Sequence, residues 1–294
     1  MATELLPSGT GSFAGYSTIW TKNLLWQPGA SLVGVGTEDE FHPASYVMDP
    51  ARHLRCWPIT GGAFYFDFDL GTAQTWKGLS LIDCNLAASQ GSAVELWAHN
   101  TFANLGTTTG TYRKWTYGTR TVVPDRGVDR WFIGADDTSQ ANNTAFRYAR
   151  VKIIGTKIST DISPWLAAPW LGDWYQIPVG SIQVSAVETS QMEESFNRTP
   201  YVDSLPVKLD LNFSTDPIDE SVFWALRREL LRIGGSQHVI FDRFSQSTDD
   251  NRRAASGHYG LLSIAGPWEE TVEAPNTVSL SMKFNEHPLP IGPV

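Results

Sequence analysis

Residues able to do chemistry are scattered along this chain rather than gathered into motifs. Six histidines, at positions 42, 53, 99, 238, 258 and 287, show no H-x-x-x-H or comparable spacing, so a zinc site would need ligands assembled from distant positions. They read as solvated or core-edge histidines. Cys56 and Cys84 form no C-x-x-C; they allow at most one disulfide and read as buried thiols. Asp67 and Asp69 superficially match the paired acids of glycoside hydrolysis, but they sit two apart on one strand, opposite an apolar face, and read as solvated surface. Asp136-Asp137 and Asp249-Asp250 lie in polar loops without the D-x-[DN]-x-[DN]-G pattern of a calcium loop. Gly34-Val35-Gly36 lacks a third glycine and a following helix, and no phosphate-binding G-x-x-x-x-G-K-[ST] occurs. Sequons at Asn142, Asn197 and Asn212 arise readily by chance. With no acid, base or nucleophile pair, the chain is expected to be no enzyme and to need no metal and no cofactor.

The elements that would position any of these residues are mostly strands. A length of 294 residues favours two domains, and 41% hydrophobic content with 12 Trp and 14 Phe supplies ample core. Residues 1–160 read as all-β. In Phe64–Leu70, Phe64, Phe66, Phe68 and Leu70 take one face while Tyr65, Asp67 and Asp69 take the other. Further strands are expected at 78–83, 93–98, 130–133 and 145–154, with exposed loops at 104–111 and 134–144. The later part resumes strands at 181–187, 206–214, 238–243, 259–264 and 277–285. One helix interrupts them at 217–233: Asp216 caps it, Pro217 opens it, and Ile218, Val222, Leu226, Leu230 and Ile233 form its apolar stripe.

Between these parts the run DISPWLAAPWLGDWYQIP, residues 161–178, carries three Pro and three Trp. It reads as a connector with Trp165, Trp170 and Trp174 packed at the domain interface, too apolar for a solvated tether; a row of Trp also suits sugar stacking. The domains are thus 1–160, the connector 161–178, and 179–294. Charge divides unevenly: residues 1–160 carry thirteen basic and thirteen acidic residues, whereas 161–294 carry nine and eighteen. An acidic second part argues against gripping a phosphate backbone. No apolar run is long enough to span a membrane and no signal peptide stands at the start, so a soluble chain made in a cytoplasm is expected.

Ordered short motifs carry a resemblance. NLLW at 23–26, PASYVMD at 43–49, RCW at 55–57, FYFDFDLG at 64–71, VELWAHN at 94–100 and FRYARVKIIG at 146–155 together resemble a galactose-binding-like, discoidin-type jelly roll. That resemblance implies a sandwich binding glycans, lipids or proteins through loops at one end. The implied ligand residues are His53, Arg55 and Trp57 in one loop and His99 and Asn100 in another. Trp offers a stacking face, and Arg, His and Asn bond hydroxyls; core-edge packing alone also accounts for Trp57.

Residues 178–290 resemble, in element order and texture, the tail-tube-like β-barrel of distal tail proteins of long-tailed phages, through VKLDLNF, DPIDESVFWALRRELLRIGG, HVIFDR and NTVSLSMKFNE. The implication is a mainly β chain, a jelly-roll sandwich preceding a barrel with one helix. The implied role is a structural component of a virion tail tip: a homo-oligomeric ring, as a hexamer, meeting tail-tube and baseplate hub proteins, with DNA only passing through its lumen and a host surface glycan as a further partner. An acidic lumen would let DNA slide. The alternative is a non-catalytic carbohydrate-binding protein of a secreted or surface glycan-degrading system.

Overall fold

A computed structural model describes residues 16–36, 43–49, 63–84, 93–118, 128–132, 144–154, 166–187, 191–194, 200–203, 208–233, 237–243, 257–263, 270–274 and 277–286. The chain is mainly β, with one α-helix among the described residues. It divides into two units, with breaks between Thr21 and Lys22 and between Trp174 and Tyr175. Strand β1 (Tyr16–Trp20) belongs to one unit. The other, a sandwich, contains β2 (Ser31–Val35), β3 (Ala63–Gln74), β4 (Gly78–Cys84), β5 (Ala93–His99), β6 (Tyr112–Gly118), β7 (Val128–Phe132), β8 (Phe146–Ile154) and β9 (Leu166–Gly172). The first unit then continues with β10 (Trp174–Val187), β11 (Gln191–Glu194), β12 (Pro200–Asp203), β13 (Lys208–Thr215), β14 (Ile218–Asp219), helix α1 (Glu220–Ile233), β15 (His238–Asp242), β16 (Gly257–Ser263), β17 (Glu270–Ala274) and β18 (Thr277–Glu286).

In the sandwich, five antiparallel strands run in the order β2-β3-β8-β5-β6 and three in the order β7-β4-β9. Alternation in β3 sends Phe64, Phe66, Phe68 and Leu70 into the core, where Leu96, Val151, Ile153, Leu79 and Leu81 meet them. Burying each such side chain contributes roughly 1.5–3 kcal/mol. Every residue of β4 is buried, and its Cys84 side chain fills core volume as expected of a buried cysteine. Cys56 lies outside the described residues.

The supposed connector is largely a strand of this sandwich. LAAPWLG forms β9, which pairs with β4 from Gly78 opposite Gly172 to Cys84 opposite Leu166. Its proline is tolerated because β9 is an edge strand, where one missing N–H breaks no ladder on the open side. Buried Asn23 serves that edge instead: its Oδ1 accepts from Leu25 N at 3.1 Å and Leu171 N at 3.0 Å, and its Nδ2 donates to the Pro169 carbonyl at 3.1 Å. Trp170 is buried within the sandwich, edge-on to Trp26 at 5.3 Å. The Trp174 indole donates to the Lys77 carbonyl at 3.3 Å. These two tryptophans, assigned from sequence to an interface, thus have partners inside the sandwich unit; Trp165 lies outside the described residues.

The other unit closes on itself. Its pairing runs β13-β10-β1-β15-β16-β18, and β18 pairs back onto β13, so six strands make a barrel without free edges. Strand β1 is therefore essential to it, which corrects the simple sequence order of sandwich then barrel: the chain starts the barrel, makes the sandwich and then resumes the barrel. A five-residue strand ahead of a loop carries too little pattern to reveal such a distant partner. Helix α1 contributes Phe223, Leu226, Leu230 and Ile233 to a core shared with Ile19, Phe213, Phe241, Leu280 and Phe284. It begins at Glu220 rather than 217, because Ile218 and Asp219 pair with Val278 and Thr277 of β18. Buried Glu286 ties three strands together: Oε1 meets His258 Nδ1 at 3.0 Å and Oε2 accepts from Leu209 N at 3.1 Å.

Candidate functional site

The face of the five-stranded sheet that turns away from the core carries the polar chemistry of the sandwich. Register places Asp67 opposite Arg150 and Asp69 opposite Tyr148 on the β3–β8 pair, with Trp97 and His99 opposite the same two β8 residues on β5. Arg150 grips Asp67 with two bonds, Nε to Oδ1 at 2.6 Å and Nη2 to Oδ2 at 2.8 Å, and lies 4.3 Å from the Tyr65 ring centroid. Asp67 is only 2% exposed, so it is a buried ion-pair member rather than solvated surface. Two glycines make room for this. A Cβ on Gly34 would stand 2.8 Å from Asp67 Oδ2, and one on Gly106 would strike Arg150 Nη1. Beside them Lys114 and Lys152 converge on Glu95, at 2.9 and 3.3 Å. Burial pushes the Glu95 carboxyl up, but the hydrogen bonds from Lys114, Trp97 and Lys152 outweigh it and hold the group below its ordinary value.

Asp69 sits where β3 becomes irregular. Asp69 pairs with Tyr148, and the next registered pair is Gln74 with Phe146, so four residues on β3 face one on β8, a bulge of the kind that re-aims side chains. Gly71 permits the bend with φ of 75°, and its close approach to the Gly29 carbonyl leaves no space for a Cβ. Its N–H donates to Asp69 Oδ1 at 2.8 Å. The bulge sets Arg147 beside Asp69, with Nε to Oδ1 at 2.9 Å and Nη2 to Oδ2 at 2.8 Å. The Arg147 side chain keeps 45% of its surface exposed. Its hydrogen bond holds the Asp69 carboxyl below the ordinary range, against a smaller opposing effect of burial and with help from Gly71 N–H.

The loop after β5 completes the site. His99 Nδ1 accepts from Thr101 N at 2.7 Å and Nε2 bonds the Thr109 carbonyl at 2.9 Å. A ring nitrogen that accepts from a backbone N–H carries no proton, so Nε2 is the donor. Asn100 Nδ2 donates to the Ala145 carbonyl at 3.2 Å, while its Oδ1 accepts from Arg147 N at 3.0 Å. Buried Leu105 anchors the loop, and Phe102, 43% exposed, packs at 5.6 Å on Tyr148, whose ring also receives Arg147 at 5.1 Å.

Of the sequence-derived ligand residues, His99 and Asn100 are therefore present at this end: His99 spends both ring nitrogens on the loop, and Asn100 bonds the start of β8 through Ala145 O and Arg147 N. They position Phe102 and Arg147, and Asn100 keeps one N–H and one lone pair. His53, Arg55 and Trp57 lie outside the described residues, as do Asp136, Asp137, Asp249 and Asp250. Phe102, Tyr148, Arg147 and Asp69 were not recognised as a set. The available signals were a lone Phe in a polar loop and two Arg in FRYARV opposite two Asp in FDFD. No group of metal-ligating side chains occurs among the described residues.

No family model matches the chain, and no curated protein matches it in sequence. Solved structures align with about half its length. Chitosan-binding module 1 of a chitosanase/glucanase from Paenibacillus sp. IK-5 is 19% identical with a TM-score of 0.35, covering 51% of this chain and 98% of that one. The lectin domain of Lectinolysin complexed with Lewis B antigen is 14% identical, TM-score 0.35, covering 52% and 98%. Reduced XRCC1 bound to the DNA polymerase β catalytic domain is 13% identical, TM-score 0.36, covering 48% and 94%. Function has to be argued from the site itself.

Proposed function

We propose that the sandwich unit is a non-catalytic glycan-binding module. The observation that carries this reading is the exposed Phe102 on Tyr148 beside exposed Arg147 and its partly buried partner Asp69. An aromatic face takes the apolar side of a sugar ring, while fixed N–H donors and a carboxylate take its hydroxyls. Catalysis is disfavoured by the same charges: a glycosidase acid needs a raised pKa, and Asp69 and Glu95 are both held low. The test is a glycan array with the full chain, since cutting at residue 160 would remove β9. Specific hits that vanish with Phe102→Ala, at unchanged melting temperature, are expected. An array with no hit, or hits indifferent to Phe102→Ala, refutes the reading.

A second reading assigns the whole chain to a phage tail tip as a ring component. What favours it is barrel closure through β13 and β18 with α1 in its core, which the sequence resemblance requires. Native mass spectrometry tests it: a closed ring is expected, and a monomer at micromolar concentration refutes it.

A further inference from the structure

We propose that the Asp69–Arg147 site selects neutral sugars bearing a pair of neighbouring hydroxyls over sugars of the same ring that carry a carboxylate. The inference rests on the glycan-binding reading above and adds its ligand class.

An inventory of donors and acceptors leads there. A carboxylate has about four lone-pair sites and a guanidinium five N–H donors. Asp69 Oδ1 takes Gly71 N–H and Arg147 Nε, and Oδ2 takes Arg147 Nη2. One acceptor position stays on Oδ2, and three N–H remain on the guanidinium. Asn100, beside Arg147, has spent one N–H on the Ala145 carbonyl and one lone pair on Arg147 N, and it keeps one of each for a further hydroxyl. The pair thus presents an acceptor flanked by donors, which suits one hydroxyl donating to Asp69 beside another accepting from Arg147, with Phe102 under the ring.

Charge excludes the acidic alternative. Two bonds under 3 Å join Arg147 to Asp69, so the positive charge is already neutralised. A sugar carboxylate would meet Asp69 at a few ångströms, where like charges repel. Among the described residues, the surplus cation of this face lies elsewhere. Lys114 and Lys152 share Glu95, which is four residues along β5 from the His99 row, or about 13 Å at strand spacing. That exceeds the ~8 Å screening length of physiological salt.

The experiment is titration calorimetry of the full chain at 150 mM salt with methyl galactoside, glucoside and mannoside, each against its methyl uronoside, which differs only by a carboxylate at C6. At least one neutral glycoside is expected to bind, with its uronoside at least tenfold weaker. In Asp69→Asn, which keeps the shape but leaves the Arg147 charge uncompensated, the order is expected to narrow to parity or reverse. A uronoside that equals or exceeds its neutral partner on the native chain overturns this inference and leaves the glycan reading standing. Discrimination unchanged in Asp69→Asn also overturns it. No binding by any of the six sugars overturns the glycan reading, and the inference with it.

Discussion

Replacing Arg150 by Met strikes the counter-charge of a buried carboxylate in the sandwich. The Asp67 side chain is 3% exposed and each of its oxygens receives one bond from Arg150. Met fills similar length but supplies no donor, so a carboxylate is left under Gly34 and the Gly106 loop without its counter-charge. Breaking one partner of a buried pair costs roughly 3–5 kcal/mol. Loss of the cation over Tyr65, 4.3 Å away, adds up to about 1 kcal/mol. For a unit of this size, about 2–4 °C per kcal/mol converts the sum to a drop of roughly 6–24 °C. Scanning calorimetry of the full chain should show it in one transition only, because the two units have separate cores. The double variant Asp67→Leu, Arg150→Met should recover most of the loss, since an apolar pair needs no compensation. A single variant within ~1 kcal/mol of the native protein, or a double variant as unstable as the single, would refute the reasoning.

The loop and the barrel are open to equally direct tests. Gly106→Ala combines a φ of 82° with a Cβ driven into Arg150; it should cost at least about 1–2 kcal/mol in melting and weaken any sugar bound at Phe102, as calorimetry would read. His99→Phe keeps the ring but removes both loop bonds, so proteolysis between residues 101 and 110 should accelerate while the barrel transition stays put. Leu226→Asp would bury a carboxylate in the barrel core, costing on the order of 2–5 kcal/mol, and loss of that transition alone is expected. The lowered Asp69 and Glu95 groups stabilise the fold fully above their unfolded values, near 3.8 and 4.5. That contribution is lost as pH falls through the depressed folded values. Urea midpoints should therefore drop below about pH 4.5 in the native chain, and less steeply in Asp69→Asn; equal slopes would count against the Arg147 pairing.

Period-two alternation made β3, β13 and β18 legible, because one face of each lies against a core, while short apolar, aromatic or β-branched runs between turn residues marked β4, β5, β8, β15 and β16. Strand β6 was missed although it alternates, since one core-side residue is Arg113, buried between the Trp115 and Phe146 rings. Strand β9 was hidden by its Pro and Trp, whose presence depends on an edge position. Helix α1 was visible through Leu226, Leu230 and Ile233, but Ile218 and Asp219 within the assigned span belong to a bridge with β18.

The site shows the same division. Residue types and local spacing identified which strands exist, which loop follows β5, and that His99 and Asn100 stand at its start. Only pairing between distant strands decided that Asp67 meets Arg150 and Asp69 meets Arg147, separated by 83 and 78 residues, and that β1 closes a barrel with β15 more than 200 residues later. Alternation is a property of neighbours in the chain and survives in the sequence. Register, edge status and the cover over a charge depend on which strand lies alongside, and that is set by the packing of the whole unit.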